Sequence, residues 1–198
     1  EVGPLGAGGG EFTAPRIAGD MLSSAITVRP STLHNIGAAG TLEVTPIWLP
    51  AGAIDRLGVW STVAGVSTWR LGLYPINADT WTPAGETAVV AGGTVNMNAT
   101  PGLLTVTVSA TIPTTGWYGL AILCDAYSAK PTVYGQSTDA TANMGTPHLP
   151  DGTRMRGNSP NRLGGWRWTG IATGAIPATC PGSPTDAHSM VVGYVRLA

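Results

Sequence analysis

Few side chains here are spaced for chemistry. The nearest to a nucleophilic set is "TDAHSM", which brings Asp186, His188 and Ser189 together along the chain. A Ser-His-Asp triad is a spatial constellation, and neighbours on a strand point to opposite faces. The stretch therefore reads as polar residues at a strand edge. The three histidines, His34, His148 and His188, are scattered, without an H-x-x-x-H spacing or a carboxylate cluster beside them. No metal site follows from them. Glycoside hydrolysis needs two carboxylates across one cleft. Asp139 and Asp151 are the least poor pair, but nothing in the spacing of the acids selects them. There is no G-x-S-x-G elbow, phosphate loop or dinucleotide fingerprint. The expectation is a chain with no catalytic residue, no metal and no cofactor.

Binding chemistry is better represented. "RMRGNSPNRLGGWRW" carries Arg154, Arg156, Arg162, Trp166, Arg167 and Trp168. Arg and Trp combine large contact area with directional donors, as docking surfaces do. A tryptophan face also stacks on the CH face of a sugar ring. Three readings stay open: tryptophans closing one end of a core with solvating arginines, a contact with a sister subunit, or a ligand site.

Charged residues make up 11% of the 198, with a net charge of -1 and Lys130 as the one lysine. Such a chain offers no basic field for phosphate backbones, so no nucleic-acid partner is expected. No apolar run approaches bilayer length, so no membrane insertion is expected. No signal peptide is visible, and the first residue is Glu1 rather than Met, so the expectation is a processed product or part of something longer. Cys124, within "GLAILCD", reads as a buried free thiol; a bridge to Cys180 stays open.

The elements that would position these residues are strands. "EVGPLGAGGG" is a glycine-rich stem, and residues 1–24 read as a linker and extended arm. From Ala25 the pattern is β: "AITVRP", "TLEVTPIWL", "IDRLGVWSTV", "STWRLGLYPI", "VVAGGTVNM", "PGLLTVTVS", "GWYGLAILCD", "PTVYG" and "HSMVVGYVRL". Alternation puts Leu57 and Val59 opposite Arg56, Trp60 and Thr62. Pro46 marks its strand as an edge or a bulge. "GWYGLAILCD" is apolar on both sides and reads as a central strand. "NAT" at 98–100 reads as a turn. Residues 136–187 show hardly any strand pattern and read as a long irregular insertion. The fold class predicted for 25–198 is all-β, an antiparallel β-sandwich of jelly-roll type.

"WLPAGAIDRLGVWSTVAGVSTWRLGLY" (48–74) and "PGLLTVTVSATIPTTGWYGLAILCDAYSAKPTVYG" (101–135) resemble the C-terminal β-sandwich domain of tailed-bacteriophage tail fibres and minor tail proteins. The resemblance covers residues 41 to 135. It implies a non-enzymatic virion component, commonly a homotrimer, that joins other virion proteins and meets a host cell-surface glycan or protein. Similar sandwiches also decorate capsids. An architectural role and a carbohydrate-binding module are the alternatives.

Overall fold

The computed structural model describes residues 18–23, 32–34, 36, 38–80, 82–98, 101–137, 165–187 and 189–198. They form β1 (Met21–Ser23), β2 (Thr32–His34), β3 (Leu42–Leu49), β4 (Gly52–Val63), β5 (Ser67–Pro75), β6 (Val90–Asn96) and β7 (Gly102–Ile112). These are followed by β8 (Gly116–Tyr127), β9 (Thr132–Ser137), β10 (Gly165–Trp168), β11 (Thr185–Ala187), β12 (Ser189–Val191) and β13 (Gly193–Leu197). All pairings are antiparallel and fall into two sheets. Sheet A runs β1-β13-β4-β9-β12, with β2 also on β9 and β7 also on β4; sheet B runs β11-β10-β3-β8-β5-β6. The predicted all-β sandwich is the observed architecture, and no helix occurs among the described residues.

Alternating side chains from both sheets meet in one core. Sheet B contributes Ile47, Leu49, Trp69, Leu71, Leu73, Leu120, Ile122 and Cys124; sheet A contributes Leu57, Val59, Val133, Val195 and Leu197. Each large apolar side chain removed from water contributes about 1.5–3 kcal/mol, so this interface is the main source of stability. Strand β8 lies between β3 and β5, and Tyr118 to Cys124 are buried without a break. That matches its two-sided apolar pattern. Pro46 falls beyond residues 42–44, which pair with β10, so among the described residues the strand is an edge where the missing N–H sits.

The end of the arm joins the domain, where Met21–Ser23 pair with β13. One expectation needs correction. The stretch 136–187 is not without strands, since β10 and β11 extend sheet B and β9 runs into its start. "GWRW" and "TDA" are too short to show a period of their own; the register of β3 imposes the extended form. The predicted strand "AITVRP" lies outside the described residues.

Candidate functional site

Of the six residues singled out for binding, Arg154, Arg156 and Arg162 lie outside the described residues. So do His148, Asp139, Asp151 and His188. The other three stand in a row on β10. Asp186 and Ser189 belong to strands of different sheets, β11 and β12, so "TDAHSM" crosses between layers instead of forming one site. Among the described residues, no group of three or more His, Cys, Asp and Glu could hold a metal ion.

On β10 the three side chains alternate. Arg167 is paired in register with Glu43 of β3, and Trp166 and Trp168 with Val44 and Leu42. Arg167 turns inward. Its Nε and Nη2 donate to Glu43 Oε1 at 3.0 and 2.6 Å. Glu43 is 0% exposed. His34 Nε2 lies 3.1 Å from both carboxylate oxygens, and the Val191 N–H donates to Oε2 at 3.4 Å. Thr45 Oγ1 also donates to the Val191 carbonyl, at 3.0 Å. A buried carboxylate is costly unless ion-paired and hydrogen-bonded. Here the partners come from β2, β10 and β12, so Glu43 ties one end of the sandwich together across both sheets.

Trp168 turns outward but is 5% exposed, and its Nε1 donates to the Gly182 carbonyl at 2.9 Å. With Ile176 and Cys180 it lies over Leu42, Val44, Tyr74, Ala121 and Leu123. The segment 171–182 thus roofs the outer face of sheet B. Backbone bonds hold it: Ile171 to Gly40, Ala88 to Ala178, and reciprocal bonds among Gly85, Glu86 and Cys180. Tyr74 Oη donates to the Pro177 carbonyl at 2.6 Å, and burial pushes its pKa above the ordinary range. Gly72 makes room for the roof, because a Cβ there would fall 2.6 Å from the Val90 carbonyl and 3.0 Å from Ile176. Burial, with the Glu86 charge second, pushes the Cys180 thiol up to about 12. Cys124 faces the inter-sheet core and Cys180 the roof, and both are free thiols.

The outer face of sheet A is different. Trp60 is 40% exposed and Leu103, opposite it on β7, 39%. The Tyr134 ring stands 6.3 Å from that of Trp60, tilted by 39°. Tyr194 on β13 is opposite Gly58, two residues along β4 from Trp60. Its phenol pKa is raised, by burial first and by Tyr134 second. Thr105 completes the row around Gly58, whose missing side chain lets Thr105 and Leu103 close in; a Cβ there would lie 3.1 Å from Thr105 Cγ2. Beyond is a charged end. A register shift between Ile54 and Arg56 places Asp55 beside Arg56 and Arg196. Arg196 holds Asp55 through two nitrogens and pulls the carboxyl below its ordinary pKa. Among the described residues, Arg56 makes only a long 3.4 Å contact from Nη1 to Thr105 Oγ1, and its buried Nε has no hydrogen-bond partner.

A second aromatic pair, Trp48 with Trp117, sits on the outer side of sheet B, edge to face at 5.4 Å. Among residues outside the original six, the alternation of Arg56, Trp60 and Thr62 pointed to the open face. Glu43 carried a signal too, a lone acid inside an apolar strand. Comparison with family models, with curated proteins and with solved structures finds no match to this chain.

Proposed function

We propose that this chain is a non-enzymatic virion protein of a tailed bacteriophage. In this reading it is the β-sandwich head of a tail fibre or tail-tip protein, homotrimeric, which contacts the host surface. The stretches 48–74 and 101–135 support the virion context by resemblance. The observation that carries the binding role is the open outer face of sheet A, where Trp60, Leu103, Tyr134 and Arg56 share one surface. Aromatic and Arg side chains of this kind are the usual anchors of recognition surfaces. The acid and imidazole found together, Glu43 and His34, are committed to a buried ion pair with Arg167 and support no catalytic role.

Gold-labelled antibody against the chain, applied to intact particles, tests the placement. Label at the tail tip is the expected result. Label over the capsid lattice overturns it in favour of a decorating protein with an architectural role. Sedimentation of the purified chain tests the trimer, with a monomer at micromolar concentration as the contrary outcome.

A further inference from the structure

We infer that the outer face of sheet A binds a carboxylate-bearing saccharide chain, lying along β4 with one ring on Trp60 and a carboxylate on Arg56. The inference rests on the binding role proposed above and names its ligand. Three features of the face point to it.

The first is the platform. Trp60 presents an indole face that stays 40% exposed even though Tyr134 and Leu103 flank it. An indole that stays part-exposed beside such neighbours suits the CH face of a pyranose. The second is charge. Arg56 and Arg196 share this end with Asp55, and Asp55 is taken up by Arg196. Arg56 forms no salt bridge among the described residues, so one positive charge is left over; its Nε is buried, and its Nη1 makes only the long contact with Thr105. A guanidinium matches a carboxylate in bidentate geometry. The third is spacing. Four residues of strand separate Arg56 from Trp60, about 14 Å at about 3.4 Å per residue. That exceeds one sugar ring, so the ligand is a chain of linked units rather than a monosaccharide. Between the two ends, Thr105 and Tyr194 supply hydroxyls beside Gly58.

A protein partner fits less well. Stable protein interfaces need roughly 1,000 Å² or more with an apolar centre. Here two part-exposed apolar side chains, Trp60 and Leu103, stand among threonines, tyrosines and arginines.

The test is calorimetric titration of the whole chain with tri-galacturonate and with neutral cellotriose, beside intrinsic fluorescence. The expected result is binding of the acidic trisaccharide at least tenfold tighter than the neutral one, weakening as salt is added because exposed charges are screened. Trp60→Ala should cost at least tenfold for both sugars. Arg56→Gln should remove the preference for the acid and leave neutral binding within about twofold. Trp48→Ala, on the other sheet, should change neither. Equal affinity for the two sugars, no binding of either, or equal loss in Trp48→Ala overturns the inference. So does an oligomer of the wild-type chain that Trp60→Ala dissociates, which would make a second copy the occupant. None of these results moves the gold label, so failure here and failure of the virion placement stay distinguishable. Thermal melts of each variant confirm that the fold is intact.

Discussion

On the outer face of sheet B, Leu42, Val44, Tyr74 and Leu123 lie beneath Trp168, Ile176 and Cys180 of the chain's own later segment. On the outer face of sheet A, Trp60 and Leu103 keep about two fifths of their surface in solvent. The two faces belong to one sandwich and share one core. They differ in whether aromatic residues are consumed by folding or left for something else. Trp168 has its indole N–H bonded and its ring enclosed; Trp60 touches Tyr134 and stays 40% exposed. A tryptophan count alone would have scored the two alike.

The sharpest test of this contrast is Trp168→Ala. It empties a buried site under the roof and breaks the bond to Gly182, at a cost of about 3–5 kcal/mol. A drop of several degrees in Tm would register it. Glu43→Gln, at the clasp between the sheets, keeps the shape but removes the charge that Arg167 and His34 answer. The expected loss is about 2–3 kcal/mol by urea unfolding, with the slope unchanged. Trp60→Ala on the open face should cost only about 1 kcal/mol, the scale of a cross-strand pair. If Trp60→Ala destabilised as much as Trp168→Ala, the open face would have to be counted as core and the comparison would fail.

Two smaller effects refine it. Cys124 and Cys180 should resist a thiol-modifying reagent at neutral pH until the chain unfolds, because burial raises both thiols. Fast labelling of Cys180 alone would show the roof opening by itself. The acid limb carries the last test. Arg70, then the Gly174 N–H, lowers the Asp125 pKa below 3.8 and ties the roof segment to sheet B. A lowered pKa in the fold means that this contribution is present above the unfolded value and is lost as pH falls through the folded one. Asp125→Asn should therefore lower stability at pH 7 and change little well below about pH 4, under the ordinary carboxylate range, so that the profile flattens.

Much of the sandwich could be read from residue order, because β4, β5 and β7 each alternate over enough residues to show a period of two and β8 is an unbroken apolar run. The two apolar faces of β8 match its central place: Leu120, Ile122 and Cys124 point inward, Ala121 and Leu123 outward. Residues 165–187 were harder. Their extended form depends on pairing with β3, more than a hundred residues earlier, and nothing local announces it. The same distance hid the role of Arg167. Glu43 alternates with Leu42 and Val44, but two buried faces cannot be told apart by alternation when the roof comes from a turn-rich segment. On Arg56 and Trp60 the pattern sufficed, since solvent on one side and core on the other is the case that alternation detects.

Strand β13 has a consequence for biosynthesis. Residues 193–197 run between β1 and β4, and Val195 fills the core beside Leu57. The ribosome delivers them after every strand they join. Until then β4 waits with a bare flank over residues 54–59, open to the equivalent flank of a nascent sister chain. A chain cut short before Gly193 would thus be a sticky, unfinished sandwich rather than a slightly weaker one.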